Sequence, residues 1–278
     1  MSDSSPRTRD PAWVVSALLG ILAVAAALRV RELVATPLAV DEIYILRVAQ
    51  RPWAELFGLA ARDIHPPFWF ALVGGWTRLG GECERWLKTL PILIALAGIA
   101  GTFMLGRRLG DARGGLVAAA LLALNTAHIH WSQQLENYVL VWTLLAWLAL
   151  ATWSLRERPG PRPAIATGLL AIAALHTDYL CAFVVALVWS WGAISLRRER
   201  RVLGWWVGTF AVVLLAFVPQ AFVWASQFAR EGYGAHFRWT TPGDLYGLAR
   251  VAAFGPAWMP LVLAVLVGGA LARPATRR

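Results

Sequence analysis

Charge is scarce in this chain. Asp, Glu, Lys and Arg make up 15% of its 278 residues, whereas 58% are hydrophobic and the mean hydropathy is +0.56. An average soluble domain is roughly a quarter charged, so ordinary water-soluble composition is excluded. Lysine is almost missing: 25 of the 26 basic residues are arginine, and Lys88 is the exception. There is no Lys-rich tail, no zinc-finger spacing and no aromatic RNA-binding signature, so the net charge of +10 does not point to nucleic acid. Two cysteines, Cys83 and Cys181, are too few for a disulfide framework and do not form a C-x-x-C pair; both read as small packing residues. Neither GxxxxGK[ST] nor a GxGxxG following a strand occurs, which leaves a nucleotide-dependent reaction without support. No internal repeat is visible, and low complexity is confined to the Arg/Pro-rich stretch 156–163.

What is abundant is apolar sequence in span-length runs. Such runs cover about 12–34, 86–106, 114–133, 138–155, 163–180, 181–196, 202–223 and 246–272, predicting eight membrane spans. Arg7 and Arg9 before the apolar run 12–28 imitate a signal peptide, yet the run extends through Leu33 and Val34 to roughly the 20 residues of a spanning helix, so an uncleaved first span is expected. A shorter piece at 66–76 carries Gly74-Gly75 and falls below the roughly 17 residues needed to cross, which suits an interfacial or re-entrant helix. The expectation is an all-α polytopic transmembrane bundle spanning 12–272, with a long first extracytoplasmic loop at 35–85. Residues 1–11 and 273–278 form the two cytoplasmic termini.

Charge supports this count. With the N-terminus inside, the inner loops and both termini hold 15 arginines against Asp3, Asp10, Asp111, Glu157 and Glu199, a local charge of +10. The outer side holds the other 11 basic and 11 acidic residues, so the whole net charge lies on one face, as the positive-inside rule requires. Counting 66–76 as a ninth span would turn Arg107, Arg108 and the 197–201 cluster outward. The eight-span topology also places His65, His128, His130, His176 and His236 in outer loops or at outer span ends, with Asp41, Glu42, Asp63, Glu136, Asp178 and Asp244. Any chemistry should therefore face outward.

Four outer segments carry candidate functional residues. Asp41-Glu42 follows the first span; a carboxylate near hydrocarbon costs about 2.5–3.5 kcal/mol, so the pair needs a partner or a task. It precedes a mostly apolar short helix at 43–48 that should stop at Pro52, and the alternative role for the carboxylates is to cap that helix. His65-Pro66-Pro67-Phe68-Trp69-Phe70 places an imidazole at the entrance to an aromatic helix, equally suited to an interfacial anchor or to a ligand for metal or phosphate. The run 128–138 is His-Ile-His-Trp-Ser-Gln-Gln-Leu-Glu-Asn-Tyr. Two histidines at i, i+2 do not share a helical face, so its dense hydrogen-bonding groups fit a polar ligand better than a metal. His176-Thr177-Asp178-Tyr179 forms a fourth polar turn. No charged residue lies near the middle of a predicted span, which argues against an ion relay.

Taken in order, Asp41-Glu42 after span one, HPPFWF followed by Gly80-Gly81-x-x-Glu84-Arg85, Leu105-Gly106-Arg107-Arg108-Leu109-Gly110, the SQQLENY turn and HTDY resemble the membrane-embedded GT-C glycosyltransferases. Within them the likeness is to the bacterial branch related to lipid A aminoarabinose transferases and protein O-mannosyltransferases, across roughly residues 12–245. The resemblance implies an enzyme of the cell (inner) membrane that transfers a hexose or pentose from a polyprenyl-phosphate-linked donor to a lipid, glycan or protein acceptor, with inversion. It implies Asp41 as general base or acceptor-orienting carboxylate, supported by Glu42, and His65, Gln133, Gln134, Glu136, Tyr138, His176 and Asp178 as substrate-binding residues. His65, or a divalent metal held by outer carboxylates and histidines, would neutralise the departing phosphate. Two departures stand out. Relatives commonly read S-Q-E-A-R-x-Y where this chain has Gln134 and Glu136, which moves phosphate binding to Arg47, Arg85 or Arg238. Relatives also usually continue through further spans. The alternative is a truncated or inactive relative that binds or flips the lipid carrier.

Overall fold

The computed structural model describes residues 11–31, 33 and 37–231, and these form helices and turns with no strand. Eleven helices follow in chain order: α1 (Ala12–Val30), α2 (Val40–Ala49), α3 (Trp53–Ala60), α4 (Phe68–Gly80), α5 (Glu84–Leu109), α6 (Ala112–Leu124), α7 (Thr126–Trp131), α8 (Tyr138–Glu157), α9 (Pro161–Leu175), α10 (Cys181–Ser195) and α11 (Arg200–Glu231). The expected span 246–272, His236, Arg238, Asp244 and both termini as predicted lie outside the described residues, apart from Pro11.

Among the described residues four helices are long and apolar enough to cross a membrane: α1, α5, α8 and α11 through Gln227. The expectation of eight spans is met to that extent. Helices α6, α9 and α10 are apolar but have 13, 15 and 15 residues, and about 17 are needed to cross an unthinned hydrocarbon core. The predicted span 114–133 is interrupted by extended backbone at Asn125, whose Oδ1 accepts the His128 amide at 2.8 Å and so starts α7 as a separate helix. As expected, α4 is too short to cross, at 13 residues.

Helix α5 occupies the middle, packed against α6 on one side and α8 on the other. Small residues allow this close approach, since apolar lipid gives helices no hydrophobic reason to associate and packing must do it. A Cβ on Gly98 of α5 would lie 2.5 Å from Thr143 Oγ1, and one on Gly115 of α6 would lie 2.6 Å from the Phe103 carbonyl oxygen. Interhelical hydrogen bonds add register: Thr143 Oγ1 donates to the Ile94 carbonyl at 2.9 Å, and Trp147 Nε1 to the Ala97 carbonyl at 3.0 Å. Beneath α2 and α4, Ile45, Val48, Leu56, Phe70 and Val73 form a core continuous with Leu87 of α5 and Leu140 of α8.

A tryptophan clasp fixes α4 against α5. The Trp76 and Trp86 rings stack 4.3 Å apart, 3° from parallel, and each indole N–H donates to the other's carbonyl at 2.9 Å. Gly80 makes room, because a Cβ there would fall inside the Trp86 ring. Gly80→Ala is therefore expected to cost about 1–3 kcal/mol through overpacking, read as a lower melting temperature in detergent. Gly75→Ala is the control, since nothing lies within 4 Å of a Cβ at Gly75; its melting temperature should not fall.

The two ends of the bundle differ chemically. At one end, Arg108 pairs with Glu157, and Arg156 covers the Trp191 ring at 5.2 Å, in company with Arg158 between α8 and α9 and with Arg197 and Arg198 between α10 and α11. At the other end the His176 carbonyl accepts the Phe68 amide at 2.9 Å, bringing the α9–α10 turn to the start of α4 and the acidic loops.

Candidate functional site

Three segments far apart in sequence meet at the acidic end. The first turn of α2 brings Asp41, followed by Tyr44 one turn on; the α3–α4 loop brings Asp63, Ile64 and His65; the start of α8 brings Glu136, Asn137 and Tyr138. With Ile45, Trp69 and Phe70 they enclose a cavity of about 210 Å³. Its position depends on one backbone unit. Leu135 is fully buried; its amide donates to Glu42 Oε1 at 2.6 Å and its carbonyl accepts Trp69 Nε1 at 3.2 Å, so α2 and α4 hold the α7–α8 turn between them.

The two carboxylates of the acidic pair therefore have different tasks. Glu42 is 2% exposed, turned into the protein, and its second oxygen accepts the Ala39 amide at 2.7 Å, closing the start of α2. The capping alternative holds for Glu42. Asp41 is exposed and lines the cavity, and its carboxylate makes no hydrogen bond among the described residues.

His65 is held by Asp63. Asp63 Oδ1 accepts both the His65 amide, at 2.8 Å, and its Nδ1–H, at 3.0 Å, leaving Nε2 for a ligand. The hydrogen bond that His65 donates to Asp63 raises the His65 pKa above its ordinary value despite opposing burial, with smaller help from the Asp63, Glu136 and Asp178 charges. Burial alone would raise Asp63, but the bonds it accepts from His65 and from the Tyr44 hydroxyl outweigh burial and hold it below the ordinary carboxylate value. Burial, then Asp63, pushes Tyr44 up to about 12. Glu136 goes the other way: burial, opposed by His65 and reinforced by Asp41, Glu42 and Asp63, raises it to about 7.

This shift has a checkable consequence for stability. A carboxyl whose folded pKa is above its unfolded value favours folding in its protonated form, a contribution complete below about 4.5 and lost as pH rises through about 7. Glu136→Gln cannot ionise, so its melting temperature should rise relative to wild type as pH goes from 5 to 8. Melting curves in detergent at fixed salt would check this; parallel pH profiles for the two proteins would refute it.

Of the residues expected from sequence, the cavity unites Asp41, His65, Glu136 and Tyr138. Others are engaged elsewhere. Gln133 Nε2 donates to the Arg29 carbonyl at 3.1 Å and ties the turn to α1. His176 Nδ1 is bonded to the Ile172 carbonyl at 2.8 Å, and Asp178 Oδ1 accepts the Leu180 amide at 2.8 Å; these, with Gln134, do not line the cavity. Arg47 and Arg85 do not line it either. His128 is structural: its Nδ1 lies 2.7 Å from Nη2 of Arg29, a fully buried arginine whose Nη1 donates to the Ala25 and Ala123 carbonyls at 2.9 and 3.1 Å. The cation thus sits at the C-terminal carbonyls of α6, where the helix dipole favours it.

Sequence reasoning missed Tyr44, Asp63 and Asn137 as site residues. Asp63-x-His65 was visible as a carboxylate two residues from an imidazole, and Asn137 lies within the polar run. Asn137 Nδ2 donates to the Thr177 carbonyl at 3.0 Å, whereas its buried Oδ1 has no partner among the described residues and is an unsatisfied acceptor beside the cavity. Among the described residues no three His, Cys, Asp or Glu side chains are arranged to hold a metal ion, so no step is assigned to one. Comparison with protein-family models and with curated proteins finds no match to this chain.

Proposed function

We propose that the chain is a membrane glycosyltransferase of GT-C type, moving a sugar from a polyprenyl-phosphate-linked donor to an extracytoplasmic acceptor at the acidic cavity. The observation that carries this reading is the placement of an unbonded carboxylate, Asp41, in one small cavity with an imidazole oriented by its own carboxylate. In the reaction Asp41 takes the proton of the acceptor hydroxyl as that oxygen bonds to the anomeric carbon. The bond from that carbon to the phosphate oxygen breaks, and its electron pair leaves with the phosphate. His65, favoured as imidazolium by Asp63, stabilises the departing charge through Nε2. Asn137 Oδ1 and the Tyr138 hydroxyl are the sugar-orienting groups. In this reading the arginine-rich end faces the cytoplasm, both termini lie there, and the cavity opens on the far side of the cell membrane.

A second reading, a lipid-carrier binding relative without transferase activity, draws on Glu136, which adds a carboxylate where a phosphate must approach. Transfer of radiolabelled sugar separates the two. Membranes containing the full chain, supplied with a panel of polyprenyl-phosphate hexoses and pentoses, should incorporate label into the lipid, glycan or protein fraction. Folded protein that binds these donors but transfers from none would establish the second reading.

A further inference from the structure

We propose that the groove between α9 and α11 is a binding site for an anionic phospholipid, with an acyl chain along the groove and the headgroup phosphate at Arg200 and Arg201. The groove has a volume of about 740 Å³ and is separate from the acidic cavity. It begins at the arginine-bearing start of α11 and runs beside the first part of α9, whose far end reaches His176 at the acidic end roughly 20 Å away.

Its walls are apolar and exposed. Ile165 and Leu169 of α9 are 61% and 63% exposed, and Val212 of α11 is 58% exposed. The Thr209 hydroxyl is turned to the Trp205 carbonyl at 2.8 Å, which removes its polarity from the wall. The space exists because side chains are missing: a Cβ on Gly204 or Gly208 would meet nothing within 4 Å, while Gly168 lets α9 approach Thr209 Cγ2 at the floor. From Arg200 to Val212 the helix rises about 18 Å, close to the roughly 15 Å of one hydrocarbon leaflet. An acyl chain in that leaflet matches the groove in length and polarity.

Charge identifies the headgroup. Arg200 and Arg201 line the mouth, Arg197 and Arg198 stand beside them, and Glu199 is the one acid in that stretch. No ion pair occupies Arg200 or Arg201 among the described residues. The first turn of α11 has no acidic residue, so its amide dipoles add to the arginines. A zwitterionic headgroup would meet this mouth with little net attraction, whereas a phosphodiester without a compensating amine is held by both guanidinium groups.

Native mass spectrometry of the full chain, exchanged with equimolar phosphatidylglycerol and phosphatidylcholine, tests the proposal. Wild type should retain phosphatidylglycerol over phosphatidylcholine by about thirtyfold, as two arginines at a bilayer surface would give. That preference should vanish in the Arg200→Gln/Arg201→Gln variant. Gly204→Leu/Gly208→Leu should lose the bound lipid itself while melting as wild type does without lipid. Phosphatidylglycerol brominated on its acyl chain provides a readout independent of the glycine variant: it should quench wild-type fluorescence more than Trp205→Phe fluorescence. Equal retention of both lipids, or quenching unchanged by Trp205→Phe, would overturn the proposal. So would a cross-link from a cysteine at Leu169 to residues 246–272, or to a second copy, that persists in lipid-loaded protein.

Discussion

Asp41→Asn is expected to reduce sugar transfer by at least a hundredfold while leaving the protein folded. The expectation combines chemistry with position. Asparagine has the same shape but cannot take the acceptor's proton, and a positioned general base contributes roughly 10²–10⁴ in rate. The fold should tolerate the change because the Asp41 side chain is exposed and makes no hydrogen bond among the described residues. What is lost structurally is one negative charge in the first turn of α2, worth about 0.3–1 kcal/mol. The same radiolabel assay, with expression and melting temperature measured in parallel, checks both halves. Undiminished transfer would remove Asp41 from the role of base and leave Glu136, held near neutrality by burial, as the carboxylate to test.

Glu42→Ala should do the opposite, damaging the fold before the chemistry. The Glu42 carboxylate accepts two backbone amides, Ala39 at one end of α2 and Leu135 in the α7–α8 turn. Hydrogen bonds to a charged acceptor are worth about 1.5–3 kcal/mol each, and removal leaves the Leu135 amide buried without a partner. A loss of roughly 3 kcal/mol is expected, a large part of the margin of most proteins. Thermal unfolding in detergent should show it. Glu42→Gln keeps a neutral acceptor in place and should lose less. A melting temperature for Glu42→Ala equal to wild type would contradict the structural role. If transfer by this variant falls, the fall should follow the loss of fold.

These two adjacent residues mark how far sequence reading reaches. Composition and apolar run lengths sufficed for an all-helical bundle with span-length helices, because burial in lipid demands both an apolar surface and backbone groups satisfied within each segment. The short helix at the acidic pair and the subspan helix after His65 were readable for the same reason: Pro52 follows the first and Pro67 precedes the second, and their lengths are local properties, although the first helix starts at Val40 and takes the acidic pair into its first turn. The break at Asn125 was not readable. The stretch read as one span, 114–133, passes straight through Asn125, and the interruption arises where Asn125 caps α7 and Arg29 from another helix takes the Ala123 carbonyl.

By itself, then, the chain's order of residues determined helical class, the placement of polar chemistry at span ends, and a set of candidate carboxylates and histidines. Those properties depend on hydropathy and charge, which are carried locally. The tertiary structure decided which of Asp41 and Glu42 faces a cavity, that Asp63 orients His65, that Asn137 keeps an unpaired buried oxygen, and that Gln133, His176 and Asp178 are tied elsewhere. Those distinctions depend on which distant backbone amide or carbonyl each side chain meets once α2, α4 and α8 have packed, and such meetings have no local signature.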